Sequence, residues 1–135
     1  ALNAAAEAPL LTLVDTPGAN PYSREELDDL KSFAATANDD AELVLVMAAG
    51  GDVEEAAELG RAFAALGARK LIATRLDIAR RYGGLLAAAD AGRLGLTLAA
   101  ISPFVAEEPY PLNPLSLARL LLADRAGEGA AGGRR

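Results

Sequence analysis

Two acidic residues stand where a carboxylate could do chemistry, each near the end of a short apolar run. Asp15 directly follows the apolar residues 10–14, and Gly18 comes three residues later. A carboxylate at a strand end could hold Mg²⁺ through water, and a glycine at this distance could bring its N–H against a phosphate, because no Cβ intervenes. Thr16 shares the loop. The same residues also suit a tight turn that leaves a strand, so both interpretations stay open.

The second motif is Thr74-Arg75-Leu76-Asp77, which comes at the end of the apolar residues 71–74. The Asp77 carboxylate could accept hydrogen bonds from N1–H and N2–H of guanine, and adenine lacks both donors. The Arg75 side chain could cover the face of the base. The alternative is a loop aspartate that caps the next segment.

The composition excludes several classes of chemistry. The chain has 135 residues, a formal net charge of −6, and neither cysteine nor histidine. Direct nucleic-acid binding is not expected, because phosphate backbones need a basic surface. Cysteine nucleophiles, Cys/His zinc sites and Ser-His-Asp catalysis are excluded by the missing residues. The absence of cysteine, together with the lack of any apolar run near 18 residues, predicts a cytoplasmic location.

Four nearly continuous apolar runs, at residues 10–14, 43–47, 71–74 and 96–101, predict strands that are buried on both faces. Helices are predicted between and after them: from the Ser23 capping box to about Ala37, over residues 53–66 after Asp52, over 84–93, and from Asn113-Pro114 to about Leu122. This alternation predicts an α/β fold, a parallel sheet of about four strands with helices on both faces. Ligands of such sheets bind beyond the carboxyl ends of the strands.

The domain boundaries follow from composition. Residues 1–8 are an alanine-rich lead-in, and residues 9–123 form the domain. Residues 124–135 hold four glycines and three arginines with no apolar residue larger than alanine. We expect this tail to be disordered, because it has too little to bury.

The two motifs, taken in order, resemble those of GTP-binding domains. Asp15-Thr16-Pro17-Gly18 resembles the third GTPase motif, D-x-x-G, and Thr74-Arg75-Leu76-Asp77 resembles the fourth. The T-x-L-D form is typical of the signal recognition particle-type GTPases. Three further features resemble the flagellar FlhF type of that family most: the D-T-P-G-A-N-P run from Asp15, the Gly83-Gly84 pair, and the Asn113-Pro114 entry to the last helix. The resemblance covers about residues 9–122.

The resemblance implies a partial P-loop GTPase fold, Rossmann-like, that lacks the P-loop strand. It also implies GTP or GDP as ligand with Mg²⁺ held by Asp15 through water. Gly83 and Gly84 would contact an adjoining helical domain and a dimer partner. The implied roles are flagellar biogenesis or protein targeting, with peripheral association at the inner face of the plasma membrane. The implied nucleotide-binding residues are Asp15, Thr16, Gly18, Thr74, Arg75, Asp77 and Ser102.

Several departures from the family pattern limit what the chain is expected to do by itself. The P-loop and the second motif would lie before Ala1, so we expect the C-terminal part of a larger G domain. Ala19 replaces the family arginine, Arg75 replaces lysine, and the fifth-motif loop around Ser102 carries no glycine. Efficient GTP hydrolysis is therefore not expected from this chain alone. Without the P-loop strand the sheet would have an open edge, so we expect a protein partner or a homodimer across it.

Three other classes are weighed against this one. A degenerate, non-hydrolysing α/β interaction module would keep the fold and bind a protein partner. A receiver-like domain could use Asp15 as phosphoacceptor, but the acidic pair and the lysine which that class needs are missing. A partitioning-type ATPase can also carry D-T-P-G, but the motif ending at Asp77 argues against it.

Overall fold

The computed structural model describes residues 12–36, 41–104 and 107–130. Within these ranges the sheet has four strands in the spatial order β1-β2-β3-β4, accompanied by four helices. In chain order the elements are α1 Arg24–Thr36, β1 Val44–Ala48, α2 Val53–Ala65, β2 Lys70–Thr74, α3 Gly83–Gly92, β3 Gly95–Ala99, β4 Tyr110–Pro111 and α4 Pro114–Ala130. The fold is therefore α/β, as predicted.

The sheet is mixed, which corrects the prediction that it is parallel throughout. Strands β1, β2 and β3 are parallel neighbours, whereas β4 pairs antiparallel with β3. The chain turns back after β3, and the N–H of Leu112, just past β4, donates to the carbonyl oxygen of Thr97 at 2.8 Å. Pro111 lacks an amide hydrogen, which suits a two-residue strand at the edge of a sheet.

The first predicted strand is absent from the part of residues 10–14 that the structure describes. Residues 12–14 form no ladder, and the side chains of Leu13 and Val14 are 85% and 63% exposed. Leu10 and Leu11 lie outside the described residues. An apolar run becomes a strand only where a neighbouring strand accepts its hydrogen bonds. Among the described residues, β1 has no such neighbour on its outer side.

The other three strands and the second helix agree with the sequence, apart from β3, which ends at Ala99 instead of Ile101. Asp52 caps α2 and accepts hydrogen bonds from the N–H groups of Glu54 and Glu55. Gly67 follows this helix with a φ of +111°, which only glycine adopts readily. Helix α3 ends at Gly92, and the residue that caps it, Arg93, has a left-handed backbone with a φ of 51°. The structure continues α4 to Ala130, beyond the predicted end near Leu122.

Helices α2 and α3 pack against each other and therefore lie on the same face of the sheet, so the predicted placement of helices on both faces does not hold for this pair. Their backbones touch: a Cβ at Gly92 would lie 2.5 Å from the Gly60 carbonyl oxygen. The core beneath them is aliphatic, as the composition predicts. It comprises Leu45, Ala56, Ala68, Leu71, Ala73, Leu76, Leu85, Ala88, Leu94, Ala99 and Leu112.

The opposite face of β1 is far less covered. Leu45 points into the core at 6% exposure, whereas Val46, the next residue, is 58% exposed. Successive residues of a strand face opposite sides of the sheet, so Val44, Val46 and Ala48 share the second face. Among the described residues, nothing buries Val46.

Candidate functional site

The loops that follow β1, β2 and β3 meet at the carboxyl edge of the sheet. The Ala49 N–H donates to the Thr74 carbonyl oxygen at 2.7 Å, which joins the first loop to the second. The Leu76 N–H donates to the Ala100 carbonyl oxygen at 3.2 Å, which joins the second loop to the third. This edge is where parallel sheets bind ligands, and the Asp77 motif lies at its centre.

Arg75 adopts an unusual backbone conformation that shapes the turn carrying Asp77. Its φ is +60°, a value that non-glycine residues adopt only at a cost. Its carbonyl oxygen accepts hydrogen bonds from the N–H groups of Ile78 and Ala79, which close the turn. Leu76 is buried, while the side chains of Arg75 and Asp77 are exposed. Both charged groups are therefore open to a ligand.

Thr74 and Tyr82 hold the two ends of this turn. The Thr74 hydroxyl donates to the Met47 carbonyl oxygen at 3.3 Å, which anchors the turn to β1. The Tyr82 hydroxyl donates to the Leu76 carbonyl oxygen at 3.4 Å. Tyr82 also packs against the core. From the sequence, Tyr82 is interpreted as a packing residue with a solvated hydroxyl; the packing is observed, whereas the hydrogen bond to the turn was not anticipated.

The two glycines at the start of α3 differ in their surroundings. Gly84 is buried, and a Cβ there would lie 3.3 Å from the Ala56 Cβ, so this glycine permits close packing of α3 on α2. Gly83 is exposed, and a Cβ there would make an ordinary contact of 3.5 Å with Val53 Cγ2. The predicted interface role of both glycines stays a prediction.

The Gly50-Gly51-Asp52 loop after β1 resembles a phosphate cradle in composition but differs in its chemistry. Gly50 and Gly51 have φ values of +91° and +94°. However, one Asp52 carboxylate oxygen already accepts hydrogen bonds from the N–H groups of Glu54 and Glu55, at 2.8 and 3.0 Å. These bonds, that from Glu55 first, hold the pKa of Asp52 below its ordinary value of 3.8. The N-terminus of α2 is thus occupied by the protein's own carboxylate and is a poor anion site.

Ser102 lies in the third loop of the edge, beside a cavity of about 280 Å³. Its hydroxyl oxygen accepts a hydrogen bond from the Phe104 N–H at 3.2 Å, so it orders its own turn. Among the described residues, the cavity is lined by Ala100, Ile101, Ser102, Pro103, Phe104, Glu107, Glu108 and Pro109.

The Asp15 loop forms a separate cavity of about 360 Å³ with α1. Asp15, Thr16, Gly18 and their neighbours make one wall, and Glu26, Asp29, Leu30 and Phe33 make the other. Asp15 is exposed, Thr16 is half-buried, and a Cβ at Gly18 would meet no atom within 4 Å. No residue of the Thr74–Asp77 turn lines this cavity. The described residues therefore do not bring the two motifs together in one pocket.

Helix α1 begins at Arg24 and is capped by Ser23, whose hydroxyl oxygen accepts the Glu26 N–H at 3.3 Å. In a complete capping box the Glu26 side chain would accept the Ser23 N–H, but here Glu26 Oε2 accepts the Asn20 N–H at 2.7 Å. The loop before α1 contacts α2 through the Tyr22 hydroxyl, which donates to Glu58 Oε2 at 3.0 Å. This hydrogen bond raises the pKa of Tyr22. It links the Asp15 segment to the core helices.

Within the described ranges, no three His, Cys, Asp or Glu side chains cluster so as to hold a metal ion. A single carboxylate such as Asp15 still fits Mg²⁺, which keeps several waters and is commonly held by one carboxylate and substrate phosphates. No described helix is long and apolar enough to cross a membrane.

Fold and site together define an α/β protein with a largely parallel sheet and polar turns gathered at its carboxyl edge. No protein-family model matches the chain, and no curated protein matches it either.

Proposed function

We propose that this chain is the guanine-nucleotide-binding portion of a signal recognition particle-type GTPase, most similar to the flagellar FlhF type. The observation that carries the proposal is the hydrogen bond from the Leu76 N–H to the Ala100 carbonyl oxygen. It brings the turn of Arg75 and Asp77 beside the loop of Ser102. A base bound at this edge would have a carboxylate on one side and the Ser102 loop on the other.

Asp77 is the residue proposed to select guanine. Its exposed carboxylate has two acceptor oxygens for N1–H and N2–H of the base. Arg75 would cover the face of the base with its guanidinium, and Thr74 would hold the turn against β1. The positive φ of Arg75 supports this assignment, because strained backbone is concentrated where a ligand is bound.

Asp15, Thr16 and Gly18 are proposed for the phosphate end of the nucleotide. The open space around Gly18 leaves room for a phosphate near its N–H, and Asp15 would hold Mg²⁺ through water. Mg²⁺ would neutralise phosphate charge. Binding of GTP or GDP would also need a P-loop, which these 135 residues lack. The flagellar or protein-targeting role and the peripheral membrane association rest on the family resemblance.

The experiment is the substitution Asp77→Asn in the full-length gene product. Asparagine offers one acceptor and one donor group, which matches the N1–H and the C2 carbonyl of xanthine instead of the two donors of guanine. We expect GDP affinity to fall by about 10- to 100-fold and XDP affinity to rise, because a charge-assisted hydrogen bond contributes about 1.5–3 kcal/mol.

The matched control is Asp90→Asn, which changes an exposed aspartate on α3 away from the turn. It should leave both affinities unchanged. Isothermal titration calorimetry measures the affinity of each variant for GDP, XDP and ADP. An unchanged ratio of GDP to XDP affinity in Asp77→Asn would remove Asp77 from the base-reading role.

The second candidate is a degenerate α/β interaction module that binds a protein partner and does not hydrolyse GTP. The observation that favours it is the separate cavity of Asp15, which closes against α1 and excludes the Thr74–Asp77 turn. Ala19, in place of the family arginine, also lines this cavity. A folded full-length protein that binds none of GDP, GTP or ADP would support this candidate over the first.

A further inference from the structure

The loop that follows β3 is fixed at both ends, beside the turn that carries Asp77. At its start, the Ala100 carbonyl oxygen accepts the Leu76 N–H at 3.2 Å. At its end, Tyr110 of β4 pairs with Ala99 of β3, so the chain returns to the sheet at the place where it left. Ala100 also lines the cavity of about 280 Å³. The cavity therefore adjoins the Asp77 turn.

Within this loop, the backbone of Phe104 is fixed while its ring is exposed. Its N–H donates to the Ser102 hydroxyl oxygen at 3.2 Å, and its carbonyl oxygen accepts the Glu107 N–H at 3.1 Å. Its side chain lines the cavity and is 69% exposed. A phenylalanine ring has no group that hydrogen-bonds to water, and its flat face packs well against another flat ring. The loop thus presents an aromatic face to a ligand of the cavity.

The charges of the cavity indicate which end of a nucleotide it suits. Glu107 and Glu108 line it, and none of its described lining residues is basic. Carboxylates repel phosphate groups, but they accept hydrogen bonds from neutral donors such as sugar hydroxyls and base amino groups. The volume of about 280 Å³ lies just below the range of about 300–1,000 Å³ that is usual for small-molecule pockets. The cavity therefore suits the base and sugar of a nucleotide and disfavours its phosphates.

We propose that the ring of Phe104 stacks on the nucleotide base. This inference rests on the proposed function, because it takes the base to be bound at Asp77. The Asp77 carboxylate then reads the edge of the base, the Arg75 guanidinium covers one face, and the Phe104 ring covers the other. Every base has a π face, so stacking adds affinity without choosing between guanine and another base. Affinity and base selection are thereby assigned to different residues.

The test is the substitution Phe104→Ala in the full-length gene product, with affinities measured by isothermal titration calorimetry. We expect GDP affinity to fall by about 5- to 150-fold, because stacking of a base on an aromatic side chain contributes about 1–3 kcal/mol. Added to Asp77→Asn, the same substitution should lower XDP affinity by a similar factor. Asp77→Asn alone changes the ratio of GDP to XDP affinity, whereas Phe104→Ala should leave that ratio unchanged. The two substitutions therefore report separately on base reading and on stacking.

A control and a second variant sharpen the test. Leu115→Ala also shortens an exposed apolar side chain, but at the start of α4, and should leave GDP affinity unchanged. Phe104→Trp keeps an aromatic face and serves if the alanine variant does not fold. The 135 residues contain no tryptophan, so the new indole reports from this loop. Relative to the parent measured alongside, saturating GDP should lower its emission.

Two results would overturn the stacking role and leave the proposed function standing. One is a GDP affinity that stays unchanged in Phe104→Ala while Asp77→Asn shifts the preference from GDP to XDP. The other is an indole emission of Phe104→Trp that saturating GDP does not alter. A parent protein that bound no guanine nucleotide would instead refute the proposed function, and the stacking role with it.

Discussion

Backbone touches backbone where Gly60 of α2 faces Ala88 of α3, and the substitution Gly60→Ala tests this contact. A Cβ at Gly60 would overlap the Ala88 carbonyl oxygen and lie 2.9 Å from the carbonyl carbon, about half an ångström short of an ordinary 3.4 Å contact. The atoms it meets are backbone, so no side chain can turn aside. The two helices must separate, and the packing of Leu85 and Ala56 beneath them must change.

The expected cost follows from two opposing effects. Overpacking a well-packed core costs about 1–3 kcal/mol, and alanine in a helix returns up to about 1 kcal/mol relative to glycine. We therefore expect Gly60→Ala to lower the free energy of unfolding by up to about 3 kcal/mol, with a central value of about 1–2 kcal/mol. Urea unfolding followed by circular dichroism measures this as a lower midpoint at an unchanged slope.

The matched control is Gly83→Ala at the start of α3. Its Cβ would lie 3.5 Å from Val53 Cγ2, an ordinary contact, so the helix-propensity effect should appear without a clash. We expect the stability of Gly83→Ala to be unchanged or to rise by up to about 1 kcal/mol. If Gly60→Ala proved as stable as Gly83→Ala, the close approach of α2 and α3 would be refuted.

Three further predictions concern hydrogen bonds and charges at the surface. Tyr82→Phe removes a long hydrogen bond to the Leu76 carbonyl oxygen. The free energy of unfolding should fall by less than about 1 kcal/mol, and hydrogen exchange of the Ile78 amide should become faster. Asp52→Asn keeps the helix cap but removes its charge. Because the pKa of Asp52 is lowered in the folded state, the parent should be more stable than the variant above pH 3.8 and should lose that advantage as the pH falls through the folded pKa. Unfolding midpoints measured across pH test this. Lys70→Met breaks an exposed ion pair with Glu42 and should change stability by no more than about 1 kcal/mol in thermal melts at low salt.

Local signals predicted most of the central elements. The cap at Asp52 and the glycine stop at Gly67 mark both ends of α2, because Asp52 accepts N–H groups of the first turn and Gly67 adopts the positive φ with which the chain leaves the helix. The runs that became β1, β2 and β3 were recognisable because strands buried by helices carry few polar residues. Such signals depend only on neighbours in sequence.

The remaining features depend on contacts that sequence spacing does not encode. Val14 was predicted in a strand but is exposed, because pairing requires a partner and hydrophobicity alone does not supply one. β4 was missed since two residues, one of them Pro111, carry no alternation. The positive φ of Arg75 was not predictable from the sequence either, because glycine or asparagine usually occupies that conformation.

The candidate site, too, was predicted where it depends on local sequence and missed where it depends on contacts. The sequence predicted that the turns of Asp77 and Ser102 follow strands of one sheet, and they do. It also predicted that Asp15 follows a strand of the same sheet, which the described residues do not show. The α1 wall of the Asp15 cavity, including Phe33, was not anticipated, because nothing in the spacing connects it to that loop.

The order of β1, β2 and β3 has a consequence for how the protein is made. Each strand lies beside the next one along the chain, with a single helix between them. Each pairing joins residues 25 or 26 positions apart, so closing the chain between two strands costs less entropy than joining more distant segments would. The region from Val44 to Ala99 could therefore assemble during synthesis, before α4 leaves the ribosome. The turn that carries Asp77 lies within this region, so the base-reading half of the proposed site would be formed first.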